Sequence, residues 1–322
     1  MDSQKKKTYL FEKPWLAMFY IMAASVFSIY FNGFILYGVL GYSDSDPQIG
    51  FIQAISFHIL TGFIIAPFIL RLPKGKTTFR KYLDDIGLTR LKPFFRLVLL
   101  GLSCALILAL SQAAASIVFR LFEGNPVNGR FLRGVFNFSS LHPSRSLDLL
   151  LTLPSVFEEV AFRGIALTVF LGKYSERKSI IFSSIGFSLM HLLNLTNGRE
   201  LEWVLGQLVW SFILGLFYGY VFVRTKSLWP SMIIHYISNL TISILSGYMI
   251  GRAGTGYQVL YQILFSFGIL PTTGFDDCPM ADVICVPGGH GVRRLAAGDG
   301  DAWAQTKGNP LLRALRARLC HS

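Results

Sequence analysis

The sequence predicts an all-α polytopic membrane protein with about eight transmembrane helices that enclose an intramembrane cavity. Two observations carry the membrane prediction: 52% of the 322 residues are hydrophobic and only 15% are charged, and the mean hydropathy is +0.49. Soluble domains carry about 25% charged residues. A spanning helix needs about 20 mostly apolar residues, and candidate runs lie at 15–40, 49–70, 96–119, 147–171, 179–195, 203–223 and 229–250, with a shorter eighth run at 257–270.

The basic residues indicate the orientation of the chain and the kind of partner it has. The formal net charge is +12, yet lysine and arginine fall between the apolar runs rather than along one polar face. This distribution favours contact with a lipid bilayer and argues against a nucleic-acid partner. Most of these residues lie in the N-terminal segment and in every second loop after it, so the positive-inside rule predicts a cytoplasmic N-terminus.

Two further segments carry predictions about local packing. In the loop TTFRKYLDDIGLTR, apolar side chains recur at helical spacing beside Arg80 and Lys81, as in a helix that lies in the headgroup layer. A solvated basic loop is the alternative.

In the sixth apolar run, Gly215 and Gly219 form a GxxxG pattern, which predicts the close approach of another helix and carries no catalytic meaning.

The composition changes abruptly after Pro271, which predicts a membrane domain over 1–271 and a separate tail over 272–322. In the tail, ADVICVPGGHG has the pattern of a buried strand followed by a glycine turn. It resembles a fragment of the PfpI-like, isonitrile-hydratase-type superfamily, in which a similar strand ends in a PGG loop. One strand and one helix cannot bury a core, so we expect a disordered or partial α/β appendage.

The stretch SVFEEVAFRG places charged side chains deep within an apolar run. Glu158 and Glu159 are the only carboxylates so placed in the candidate spans, and a charge at the bilayer centre costs about 3 kcal/mol or more. Glu159 and Arg163 are four residues apart on one helical face, so a supporting ion pair is expected. Glu158 points about 100° away from them. The pair could be purely structural, but Glu158 is then left without an obvious local partner.

Polar residues on two other candidate spans could complete a site around Glu158. His191 lies in the fifth run, and His235 and Asn239 lie one turn apart in the seventh. A carboxylate and an imidazole can hold and deprotonate a water, while a second imidazole and an amide can stabilise an oxyanion. Glu158, His191 and His235 could instead ligate zinc with an open water position, although the HExxH spacing is absent.

Three short motifs in this order resemble one family. EEVAFR fits EExxxR, FSLMH fits FxxxH and HYISN fits HxxxN of the CPBP family, which comprises CAAX-protease and bacteriocin-processing intramembrane endopeptidases. The resemblance implies a multi-pass protease, expected in a prokaryotic cell membrane, that cleaves near the C-terminus of CAAX substrates, which are prenylated proteins or peptides. It further implies that Glu158 and His191 activate water, Glu159 and Arg163 support the site, and His235 and Asn239 form the oxyanion hole. Family members are commonly called metalloproteases, and a metal-free glutamate mechanism is also proposed for them.

Two other functions are compatible with the same residues. In a proton-coupled transporter, the two glutamates and the histidines would relay protons, but no inverted repeat of the kind found in many transporters is evident. In a non-catalytic immunity or scaffold protein, the same polar residues would only stabilise the fold. Peptide cleavage would indicate the protease, and pH-driven uptake would indicate the transporter. Biological protection without cleavage would indicate the immunity or scaffold protein.

Overall fold

The described part of the chain is built from helices that surround a short central segment. The computed structural model describes residues 13–42, 52, 56, 59–65, 79–122, 124–135, 154–196 and 198–249. Within this part of the chain every regular element is helical. The α-helices are α1 (Pro14–Gly33), α2 (Phe79–Asp85), α3 (Phe94–Phe122), α4 (Gly129–Val135), α5 (Pro154–Glu159), α6 (Thr168–Leu171), α7 (Glu176–Met190), α8 (Leu201–Thr225) and α9 (Trp229–Met249). Three π-helices are π1 (Phe34–Val39), π2 (Leu60–Ile65) and π3 (Val160–Leu167), and a 3-10 turn covers His191–Leu195.

The length and surface of these helices suit a bilayer. Among the described residues, four helices are long and apolar enough to cross a membrane: Pro14–Val39, Phe94–Phe122, Glu176–Leu195 and Leu201–Thr225. The first two expose large apolar side chains such as Phe19, Phe34, Phe95 and Leu99. Water would disfavour such surfaces, whereas lipid tails accommodate them. The predicted fold class, an all-α polytopic membrane protein, is therefore confirmed.

The outcome for the remaining predicted spans differs from run to run. Helix α9 has sufficient length for the seventh span but is not among the four, because it carries polar residues along an otherwise apolar sequence. The fourth run is described only from Pro154 onward. The eighth run at 257–270 and the tail at 272–322 lie outside the described residues, as does most of the second run.

The fourth run forms the centre of the core, and its backbone differs from the expected α-helix. After Glu159 the chain changes to π3, in which every residue is buried. This segment packs against α1, α7, α8 and π2. A π-helix bonds residue i to i+5, is rare, and is found frequently at functional sites. Arg163 therefore lies on π-helical rather than α-helical backbone, although it still pairs with Glu159, four residues before it.

The GxxxG pattern brings α8 against α7. A Cβ added to Gly215 would lie 2.9 Å from the Cβ of Ser184, and one added to Gly219 would lie 3.1 Å from Ile180 Cγ2. Ser184 and Ile180 are one turn apart on α7, so the two glycines meet two successive positions of the neighbouring helix. The predicted close approach is confirmed.

We expect Gly215→Ala to lower the free energy of unfolding by about 1 to 3 kcal/mol, because the added methyl overpacks this contact. Thermal unfolding in detergent measures the change. Adding Ser184→Gly should recover part of the loss by removing the opposing Cβ. Gly129→Ala is the control, because its added Cβ would meet only Arg133 Nη1 at 3.9 Å. Equal effects of Gly215→Ala and Gly129→Ala would contradict this account of the contact.

The basic loop before α3 packs on the protein. Tyr82 and Ile86 are buried in the same core cluster as π3, and burial raises the pKa of the Tyr82 phenol. The segment is helical as predicted, and its buried Tyr82 and Ile86 contact protein, which contradicts a fully solvated loop, whereas Phe79 is exposed. A position in the headgroup layer stays a prediction. The segment after α2 is tied to the start of α9, since Trp229 Nε1 donates to Leu88 O at 2.9 Å and Ser227 Oγ donates to Arg90 O at 2.7 Å. These bonds help to fix the helix that carries His235.

Candidate active site

The residues of the three motifs come from separate helices. Glu158 and Glu159 end α5, and Arg163 lies in π3. His191 follows directly after α7, where the helix tightens into a 3-10 turn. His235 and Asn239 lie one turn apart on α9. The packing of α9 against α5, and of α7 against π3, brings these segments together.

Glu159 is the buried centre of the site. Its side chain has 0% exposure, and its Oε1 atom accepts hydrogen bonds from Arg163 Nη1 at 2.9 Å and from His235 Nδ1 at 2.8 Å. The ion pair expected from the i, i+4 spacing is present. A buried charge is tolerated when it is paired and hydrogen-bonded. Glu159 meets this condition at Oε1 through two different helices, whereas its Oε2 atom and Arg163 Nη2 are buried without a hydrogen-bond partner among the described residues.

Glu158 is placed differently from its neighbour. Its side chain is 32% exposed, and its Oε2 atom lies 3.9 Å from His235 Nε2. The two adjacent carboxylates therefore lie at different nitrogen atoms of the His235 ring, Glu159 at Nδ1 and Glu158 at Nε2. Glu159 is held inside the protein, while Glu158 keeps an accessible face that a small reactant could approach.

The ring of His191 has a defined hydrogen-bonding state. Its Nδ1 atom lies 3.0 Å from the carbonyl oxygen of Phe187. Because a carbonyl can only accept, Nδ1 carries the hydrogen, and in the neutral ring Nε2 is left as an acceptor. His191 also lies within electrostatic range of Glu158 and His235. The two imidazoles of the site thus both use Nδ1 for a hydrogen bond within the protein, while Nε2 of His235 faces Glu158.

Two aromatic residues join these groups. The Phe187 ring lies edge-on to both His191 and His235, with centroid distances of 5.0 Å and 5.7 Å, and the Arg163 guanidinium sits 4.1 Å above its centre. The Tyr218 ring stacks on His235 with a centroid distance of 4.9 Å. Phe187 belongs to the FxxxH pattern. Tyr218 was missed from the sequence, because the GxxxG pattern of α8 is a packing signal only and an aromatic residue in an apolar helix gives no signal of its own.

The same geometry bears on whether Glu158, His191 and His235 are placed as zinc ligands. Among the residues described here, no three histidine, cysteine, aspartate or glutamate side chains are grouped so as to hold a metal ion. Glu158, His191 and His235 supply donor atoms of a type that zinc accepts, but as arranged here they do not form such a group.

Comparison with known proteins identifies a relationship over the part of the chain that carries these residues. Residues 146–241 match the family model described as type II CAAX prenyl endopeptidase Rce1-like. The match covers less than a third of the chain but includes all seven defined residues of the three motifs. No curated protein and no solved structure matches the chain. The family resemblance predicted from the motifs is confirmed over this segment, and it supports a CAAX-type intramembrane endopeptidase in general.

Proposed function

We propose that this protein is an intramembrane endopeptidase that hydrolyses a peptide bond near the C-terminus of a CAAX-type substrate, using a water activated by Glu158 and His191. One observation carries the proposal. An accessible carboxylate, Glu158, lies 3.9 Å from Nε2 of His235 and within electrostatic range of His191, and both imidazoles use Nδ1 for hydrogen bonds within the protein. Their Nε2 atoms are therefore the ones that can meet water and substrate.

The first step is the activation of water. In the neutral ring, His191 Nε2 accepts one hydrogen of the water, and Glu158 accepts the other as general base. As this proton moves to Glu158, the water oxygen forms a bond to the carbonyl carbon of the scissile peptide. The carbonyl double bond opens, and a tetrahedral intermediate with a negatively charged oxygen results.

The second step is the stabilisation of that oxyanion. Asn239 can donate a side-chain N–H, and His235 can donate from Nε2 when this atom carries a hydrogen. Since Nδ1 of His235 also donates to Glu159, this is the doubly protonated ring, and Glu159 lies 2.8 Å away as its counter-ion. Arg163 holds Glu159 in place at 2.9 Å, so it acts on the reaction through the carboxylate.

The third step is the collapse of the intermediate. The carbon–nitrogen bond breaks, the carbonyl re-forms as a carboxylic acid, and the proton held by Glu158 passes to the leaving nitrogen. One water is consumed, and Glu158 returns to its starting form. Sheltering the site among apolar helices strengthens each of these electrostatic contacts. A lipidated substrate would enter sideways from the bilayer, since its lipid and its peptide partition to the same interface.

We expect His191→Ala to lower kcat about 100-fold with little change in KM, because the water loses one of its two holding groups. Leu192→Ala is the control, because Leu192 is an exposed apolar neighbour. The measurement is cleavage of quenched fluorescent peptides, prenylated and plain, by protein reconstituted in liposomes. Retention of full activity by His191→Ala would remove this residue from the mechanism.

The same assay separates the open alternatives. A preference for prenylated peptides defines the substrate, and loss of cleavage with chelator, restored by zinc, would replace the metal-free scheme by a metal-assisted one. If the wild-type protein cleaves no peptide, the protease proposal fails. A pH-sensitive dye inside the liposomes then tests proton transport.

A further inference from the structure

The imidazole of His235 is held by more than its hydrogen bond. A single hydrogen bond from Nδ1 to Glu159 fixes one direction but leaves the plane of the ring free to tilt, and the outer torsion of a histidine side chain is soft. The Tyr218 ring lies against one face of the imidazole at 4.9 Å with an interplanar angle of 28°, and the Phe187 edge closes another side at 88°. The stacked Tyr218 ring therefore fixes the tilt of the His235 imidazole plane, which the hydrogen bond alone does not fix.

Tyr218 is itself held firmly in position. Its side chain has no exposed surface. Its backbone carbonyl accepts a hydrogen bond from Ser231 Oγ at 3.4 Å, and Ser231 is one turn before His235 on α9. On the other side, Gly215 and Gly219 allow α8 to pack closely on α7. The backbone that carries the Tyr218 ring is thus hydrogen-bonded to the turn of α9 that precedes His235.

Tyr218 also contacts Arg163, the second residue that hydrogen-bonds to Glu159. The guanidinium of Arg163 lies 5.1 Å from the centre of the Tyr218 ring and 4.1 Å from that of Phe187. Aromatic faces attract such cations, and more strongly where water is excluded. One ring of α8 therefore touches both groups that hydrogen-bond to Glu159 Oε1.

We propose that Tyr218 is a positioning residue for the peptidase reaction, whose ring sets the plane of His235 and so aims Nε2 at the place where the substrate carbonyl becomes an oxyanion. This inference rests on the proposed function and adds a fourth helix, α8, to the site. It is the ring rather than the hydroxyl that carries the effect, because the stacking and the cation contact both use the ring face. Tyr218 does not itself touch the reacting atoms.

The test compares three variants in the liposome cleavage assay. Tyr218→Phe keeps the ring and should keep kcat within about threefold of wild type. Tyr218→Leu removes it and should lower kcat about 100-fold with KM nearly unchanged, since a small misplacement of a catalytic group costs about this much. Tyr220→Leu removes another buried ring from the same helix, one that lies under the Arg224 guanidinium at 5.1 Å, and should leave kcat close to wild type.

A second readout does not depend on activity. In protein labelled with ¹⁵N-histidine, the His235 signals are identified by their loss in His235→Asn. Wild type and Tyr218→Phe should show one ring state with Nδ1 protonated and hydrogen-bonded, whereas Tyr218→Leu should show an averaged or second state. Thermal unfolding of each variant separates a local change from a loss of fold.

The outcomes distinguish this inference from the proposed function. If wild type cleaves and Tyr218→Leu matches Tyr220→Leu in kcat, the positioning role is overturned while the protease stands. The role is likewise overturned if Tyr218→Phe loses as much activity as Tyr218→Leu. If wild type does not cleave, the protease proposal fails, and the ¹⁵N spectra alone decide whether Tyr218 holds the imidazole.

Discussion

Glu158→Gln should abolish peptide cleavage, lowering kcat about 1,000-fold, while KM and thermal stability stay close to wild type. The amide has the size and shape of the carboxylate but cannot take a proton from water, and positioned general bases contribute about 100-fold to 10,000-fold. Because the Glu158 side chain is 32% exposed and lies 3.9 Å from His235, its neutralisation leaves no fully buried charge unpaired. Steady-state cleavage by reconstituted protein, together with thermal unfolding, measures both quantities.

Glu176→Gln is the matched control for this change. Glu176 is another helix-borne glutamate, at the start of α7, where its exposed carboxylate lies 3.8 Å from Arg224. Its neutralisation should leave cleavage unchanged. If Glu158→Gln retained more than about a tenth of wild-type kcat, a general-base role for this residue would be untenable.

The largest effect on stability is expected for Arg163→Met. This change leaves the Glu159 carboxylate, with 0% exposure, without its guanidinium partner. Breaking one side of a buried ion pair costs about 3 to 5 kcal/mol, because the remaining charge stays buried. Unfolding of the purified protein in mixed micelles, followed by its midpoint, measures the loss.

Two further variants test the physical reason for that loss. The double variant Glu159→Gln, Arg163→Met removes the buried charge as well as its partner and should recover part of the stability. Lys81→Met breaks the exposed i, i+4 pair with Asp85, whose side chains are 51% and 41% exposed, and should cost no more than about 0.5 kcal/mol. A loss in Arg163→Met as small as that in Lys81→Met would show that the buried pair contributes little.

Part of the site is predictable because it is local in sequence. Glu159 and Arg163 are four residues apart, so their pairing follows from helix geometry. The spacing of Gly215 and Gly219 likewise predicts a close contact between helices. The π-helix that follows Glu159 was not predicted, because nothing in the local sequence distinguishes i→i+5 from i→i+4 bonding. Every residue of π3 is buried by the surrounding helices.

The amino-acid sequence by itself determined the membrane fold class, the family resemblance and the residue types available for chemistry, because hydropathy and motif spacing are properties of the chain. Only the tertiary structure decided which nitrogen of each imidazole is occupied, and that Glu159 is buried while its neighbour Glu158 is accessible. It also decided that Tyr218 stacks on His235. These are contacts between helices far apart in sequence, and their geometry depends on how α5, α7, α8 and α9 pack rather than on any spacing within one of them.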